Sequence, residues 1–277
     1  MQPGNQQEGF DTSGGRMVKE IIIIVAVLIV VVGAALWLVS KAAGWAVGLV
    51  PTSVDTTIGE TAASAYTDES KLCDHSSINS YVEALTKPLL VEFGPQPYEF
   101  SFKVIEEDVP NAFALPGGFV TIHSGLIESA ESGEEIAGVL AHEIAHVTHR
   151  HGVRRIVRSA GIAIAVGLIF GSTDLAVLAD YASDLGSLAY DRDQEREADE
   201  TAREILTKAG INPRGMATFF KKLLKEEDSS SGWFPEFLST HPDLAERVEE
   251  SLAAPLPEGK LMKLPPPMNL KCKGEEQ

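Results

Sequence analysis

The stretch "AHEIAHVTHRH", residues 141–151, puts four histidines and one glutamate into eleven positions. Its surroundings recur at helical spacing, with Ile136, Val139, Leu140, Ile144 and Val147 falling on one face. Ser132 with Glu135 three residues later makes a capping box, so a helix is expected to begin at Gly133 and to keep its phase through Arg150 or beyond. Residues four apart on a helix lie one turn above each other, with side chains roughly 5–6 Å apart. His142 and His146 can therefore offer imidazole nitrogens to one ion. Glu143 then faces the water that such an ion would hold and can take its proton, which is the logic of H-E-x-x-H.

The other two histidines read differently. His149 is seven positions beyond His142, about 10.5 Å along a helix axis, too far for both to share a tetrahedral ion with His146, and it is taken as a bystander. His151 reads as a helix C-terminal residue that caps carbonyls and suits the helix dipole. A third ligand must come from elsewhere, and "DRDQEREADETA" (191–202) makes the best offer, with Glu195 and Asp199 four apart. Glu195 would complete two histidines and one carboxylate, while Asp199 could accept the free ring N–H of a ligand histidine. Taken alone, such a run is a solvated charged face, and only the upstream motif turns it into a site.

Outward from this centre, the chain of 277 residues is long enough for a real core. Its net charge of -17 argues against nucleic acid as a partner, since that would need clustered Lys and Arg. Residues 21–39, "IIIIVAVLIVVVGAALWLV", carry no charge and no proline. At about 1.5 Å per residue such a helix just crosses a hydrocarbon core about 30 Å thick, so residues 21–40 are expected to be a transmembrane anchor. A cleaved signal peptide is the alternative, with Ser40-Lys41-Ala42 as a passable cleavage site. Arg16 and Lys19 ahead of the span, against Lys41 behind it, place the N-terminus in the cytoplasm. Glu8, Asp11 and Glu20 do not suit an organellar transit peptide and favour a bacterial inner membrane, with the bulk of the chain on the periplasmic or extracytoplasmic side.

Residues 1–20 read as a disordered cytoplasmic tail, "VPTSVDTTIGE" (50–60) as a connector, and residues 78–93 as a helix. "YEFSFKVIEE" (98–107) alternates like a half-buried strand, and a second short strand is expected from Phe119 to His123 after the Pro-Gly-Gly break. "SAGIAIAVGLIFGST" (159–173) is expected to be a packed or membrane-dipping helix, residues 174–210 further helix, and "INPRGMATFFKKLLKE" (211–226) another opened by proline. Residues 256–277 form a proline-rich tail. Cys73 and Cys272 are either one disulfide or two unrelated thiols.

Four blocks now stand in order: "NAFALPGG" (111–118), "HEIAHVTHRHG" (142–152), "YDRDQEREAD" (190–199) and "STHPDLAERV" (239–248). Together they resemble the signature series of the zinc metallopeptidases of peptidase family M48, which includes HtpX-like, Oma-like and BepA-like groups, over roughly residues 50–255. The resemblance implies one Zn2+ per chain held by His142, His146 and Glu195, with Asp199 behind the ligands. It also draws in His241, as catalytic support or near the fourth coordination position, with Arg247 as its neighbour. Asn111, Ala112, Phe113 and Ala114 would supply the edge strand on which an extended polypeptide substrate lies. The implied fold is α+β and mainly helical, a zincin-like (gluzincin) catalytic domain over residues 50–255 with a small sheet, preceded by one transmembrane helix.

The expected function is a membrane-anchored zinc metalloendopeptidase, with Glu143 as general base, acting on misfolded or damaged extracytoplasmic proteins. Two rivals stay open: a chaperone-like binding protein with structural zinc and a closed cleft, and a prenyl-protein protease, which would need a second crossing at 159–173.

Overall fold

A computed structural model describes residues 13–66, 71–160, 166–168, 189–228, 240–241, 244–270 and 272. Helix α1 runs Ser13–Val47 and α2 Thr52–Tyr66. Both differ from expectation. The helix starts at Ser13 within the stretch read as a disordered tail, where Arg16, Lys19 and Glu20 are good helix formers ahead of the apolar run. Residues 1–12 lie outside the described ones. The expected connector is instead α2, which has Asp55 in its first turn and fully buries Ile58 and Ala62 one turn apart. Across the isoleucine-rich run, Ile21 to Val32, the large side chains are exposed. The side chains described within α1 and outside the core cover residues 18–34, and among the described residues no helix is long and apolar enough to cross a membrane.

Helix α3 (Ser76–Phe93) follows, then β1 (Ser101–Ile105), β2 (Ala112–Leu115), a turn of 3-10 helix at Pro116–Gly118 and β3 (Phe119–His123). The first strand is shorter than its alternating pattern, and β3 has the expected limits. The sheet order is β1-β3-β2: β1 pairs parallel with β3, Ser101 opposite Phe119, and β2 pairs antiparallel, Ala112 opposite Ile122. β2 is thus an edge strand. Gly117 (φ 78) makes the turn between them, and a Cβ there would sit 2.6 Å from the Thr56 Cα, so the start of α2 is packed directly on this turn. Gly59 meets the same turn, where a Cβ would stand 1.9 Å from the Pro116 carbonyl oxygen.

After α4 (Ser124–Ser129) comes α5 (Gly133–Thr148), starting where the cap predicted. Only half of the capping box forms. Ser132 Oγ accepts the Glu135 N–H at 3.3 Å, but the Glu135 carboxylate accepts from the Glu131 N–H at 3.1 Å and from Lys222 Nζ at 2.6 Å. Ile136, Leu140 and Ile144 are fully buried, in a core shared with Leu85, Leu89, Leu206, Phe219 and Phe220.

The expected continuation of α5 through Arg150 does not occur. The helix ends at Thr148, Arg150 takes a left-handed backbone (φ 56), and α6 begins at His151 and runs to Ala160. A non-glycine residue in this region is strained by about 1–2 kcal/mol. The Arg150 side chain offsets this: Nε and Nη2 donate to the buried Asp55 carboxylate at 2.7 and 2.6 Å, and Nη1 donates to the Val47 carbonyl at 2.7 Å. The break is therefore locked to the α1–α2 elbow.

Residues 161–165 and 169–173, most of the second apolar run, lie outside the described residues, as do 174–188. Helix α7 is Arg192–Lys208, so Tyr190 and Asp191 are not helical as expected; Asp191 is its N-cap, with a complete capping box to Gln194. Helices α8 (Arg214–Asp228) and α9 (Leu244–Ala253) close the order. The proline-rich segment has no helix or strand over 257–270, yet it is packed: Leu264 and Leu270 are buried, and a Cβ on Gly133 would meet the Pro265 carbonyl oxygen at 2.4 Å. Cys73 and Cys272 form a disulfide across a separation of 199 residues, which resolves the open pairing.

Candidate metal centre

Helix α5 brings His142, Glu143 and His146 to one buried wall, and α7 brings Glu195 and Asp199 opposite. The short segment before α9 adds His241, placed by a backbone bond from the Tyr190 N–H to the Thr240 carbonyl at 3.0 Å. The Nε2 atoms of His142 and His146 are 2.9 Å apart, and His241 Nδ1 is 3.3 Å from His142 Nε2. Glu195 completes the group, Oε1 lying 3.4 Å from His146 Nε2 and 3.1 Å from His241 Nδ1, and Oε2 3.6 Å from His142 Nε2.

These separations fit a shared cation. Four ligands at about 2.0–2.1 Å in a tetrahedron stand roughly 3.3 Å from each other. The four residues His142, His146, Glu195 and His241 offer ligand atoms that all lie within 4.8 Å of one another, every one buried. Burial holds the His146 imidazole well below its usual pKa, in the neutral form that binds metal. For Glu195 burial acts upward, but His241 and Arg247 outweigh it and hold the carboxyl well below the usual range. A neutral His146 and an ionised Glu195 are the forms in which these two groups can hold a metal ion.

Glu143 differs from Glu195 although it is equally buried. Its oxygens make no side-chain hydrogen bond among the described residues, the Ala114 N–H facing the carboxyl group only loosely, and burial raises its pKa. Its nearest basic neighbour is His241, whose Nε2 lies 3.6 Å from Oε1. A buried carboxylate with free lone pairs beside a ligand cluster is poised to take a proton.

Asp199 Oδ1 lies 2.8 Å from His142 Nδ1. Arg247, expected as a neighbour of His241, shares Glu195 Oε2 with it. Its Nε and Nη2 donate to the two Asp199 oxygens at 2.6 and 2.9 Å, Nη1 stands 2.5 Å from Glu195 Oε2, and the guanidinium lies over the Phe220 ring. The reason is geometric: one carboxylate of α7 is a ligand and the other an acceptor, and one buried guanidinium bridges both. Ala112, Phe113 and Ala114 form β2 with Asn111 just ahead of it, and Ala114 and His146 line one small cavity with Tyr190.

His151 is the residue whose reading changes most. It is fully buried, with its Nδ1 2.8 Å from His146 Nδ1 and its Nε2 3.1 Å from Glu197 Oε2, and burial pushes its pKa down to about 4. It caps no helix, and no spacing rule could place it, because its position depends on the break at Arg150. Tyr190 was also silent in the sequence; its ring stacks on His146 at 3.7 Å, beneath the Arg155 guanidinium at 4.1 Å. His149 stays a bystander, bonded to Thr201 and Glu197.

The family described as Peptidase family M48 matches residues 76–254, more than half of the chain. The beta-barrel assembly-enhancing protease of Escherichia coli is 33% identical over 177 residues, which cover 60% of this chain and 36% of the relative. The mitochondrial metalloendopeptidase OMA1 of Schizosaccharomyces pombe is 30% identical over 172 residues, covering 61% of this chain and 51% of the relative. The metalloprotease LoiP of Escherichia coli is 32% identical over 156 residues, covering 54% and 60%. The chain therefore spans less than two thirds of the length of each of these relatives.

Proposed function

Since the chain belongs to peptidase family M48, we propose that it is a zinc-dependent endopeptidase whose reaction is carried by Glu143 beside the His142, His146 and Glu195 ligand set. The observation that carries this reading is the pairing of a buried, convergent donor cluster with a buried carboxylate that no side chain hydrogen-bonds among the described residues. Bound zinc supplies Lewis-acid chemistry: polarisation of the scissile carbonyl and a lowered pKa for the attacking water. Glu143 takes the proton from that water and returns it to the leaving amine. Asp199 holds the His142 ring through Nδ1, and Arg247 bridges Asp199 and Glu195. The substrate is an extended polypeptide laid antiparallel along Asn111–Ala114, a reading supported by the position of β2 at the sheet edge.

The finer reading is a single-pass anchor formed by residues 21–40, within α1, with the catalytic domain on the extracytoplasmic side of a bacterial inner membrane. Misfolded or damaged envelope proteins would be its substrates. It is supported by the uncharged run and by the exposure of its isoleucines. Glu143→Gln tests the core of the proposal: the variant should bind zinc as the parent does and lose cleavage of unfolded casein by at least about a hundredfold. Retained proteolysis would remove Glu143 from the role of base.

A second reading draws support from His241, whose Nδ1 sits at the fourth corner of the ligand group. With that corner filled the protein would be a closed, chaperone-like binder with structural zinc. His241→Ala separates the two: the closed binder gives no peptidase activity with or without this change.

A further inference from the structure

The two histidine ligands are backed differently. His142 Nδ1 meets a carboxylate, Asp199, while His146 Nδ1 meets another imidazole. The geometry points to His151 as the positioning residue for His146, itself oriented by Glu197, so that a chain of hydrogen bonds runs from a partly exposed carboxylate to the ligand. This rests on the metal-binding reading above.

The proton count closes along the chain. A neutral His146 that directs the Nε2 lone pair at a cation must carry its hydrogen on Nδ1 and donate it. The atom 2.8 Å away is His151 Nδ1, which accepts only if His151 carries its own hydrogen on Nε2. That Nε2 lies 3.1 Å from Glu197 Oε2, which accepts. One tautomer at each ring therefore satisfies every atom from Glu197 to the ligand. Glu197 is in turn fixed by Arg154 Nη1 at 2.9 Å and faces His149 Nδ1 at 3.2 Å.

The backbone of His151 is as firmly set as its ring. Its carbonyl accepts from Gln194 Nε2 at 3.3 Å, and Arg150 just before it is tied to Asp55 and Val47. A Cβ on Gly152 just after it would meet Pro116 Cγ at 3.0 Å, so the following turn is held against the β2–β3 connection. Nothing in this arrangement gives His151 access to substrate, and it acts only through His146.

The test uses the full-length protein in detergent, stripped of metal. Zn2+ affinity is read by competition with a chelator, and the site's geometry by the visible absorption of Co2+, neither of which needs turnover. His151→Leu, which removes the acceptor, should weaken Zn2+ binding on the order of 10–100-fold and shift the Co2+ bands. His151→Asn restores an acceptor near the Nδ1 position and should recover most of the affinity. Glu197→Gln should give a smaller loss with the same sign. Equal affinity and an unchanged Co2+ spectrum in His151→Leu would overturn the positioning role while leaving the peptidase reading intact. Failure of the parent protein to bind either metal would sink the peptidase reading itself. If His151→Leu does not fold, Glu197→Gln decides: parental Zn2+ affinity and an unchanged Co2+ spectrum in that variant overturn the proposal.

Discussion

The two helices that face each other across the site are held in place by different means. In α5 every residue from Glu135 to Val147 is buried, and the helix is fixed by volume: Ile136, Leu140 and Ile144 fill the core, and Gly138 lets α8 approach. In α7 the buried set is a narrower stripe, Gln194, Glu195, Ala198, Asp199, Ala202, Ile205 and Leu206, and its first turns are fixed by polar contacts. Asp191 caps the helix and meets Arg158, and Arg247 holds both carboxylates. The lesson is that a ligand on a packed helix is placed by the core, while a ligand on a charged helix is placed by its counter-charges.

That contrast can be broken most directly at Arg247. Arg247→Ala leaves Glu195 and Asp199 buried without their cation, and unfolding by urea should show a loss of about 3–5 kcal/mol. A loss no larger than that of an exposed arginine would mean that α7 is held by packing after all. Gly138→Ala probes the opposite mechanism. The new Cβ would stand 2.8 Å from the Met216 backbone nitrogen, and the separation of α5 from α8 should cost about 1–3 kcal/mol, read as a lowered urea midpoint with an unchanged slope. Asp191→Ala sharpens the picture at its weakest point. Losing the cap should destabilise by about 1 kcal/mol, and fast amide exchange should be confined to the first turn of α7.

The same contrast explains how much of the site could be read in the sequence. The start and buried face of α5 were legible, because apolar periodicity fixes a helix and a helix fixes which side chains share a face, but its end at Thr148 was not. Glu195 and Asp199 were legible as a pair, through their spacing of four, but not their common counter-ion: Arg247 is 48 positions beyond Asp199, and pairwise spacing carries no signal at that range. His151 was misread for a sharper reason. Its role needs the chain to reverse the α5 phase at an arginine, and Arg150 has none of the glycine or asparagine character that marks a left-handed residue. The α2 helix was missed because the small polar residues of "TSVDTTIGE" look like a linker until Ile58 and Ala62 are seen in one core with Leu115 and Gly59 against the Pro116 carbonyl.

Arg150 also bears on how the protein should be trimmed for solution work. Its Nη1 proton rests on the carbonyl of Val47, the last residue of α1. A fragment begun at α2 would keep the Asp55 fork and discard that carbonyl, loosening the one strained residue that sets where His151 lands. Expression boundaries are therefore best drawn upstream of Val47, with polar replacements on the apolar helix ahead of it rather than its removal.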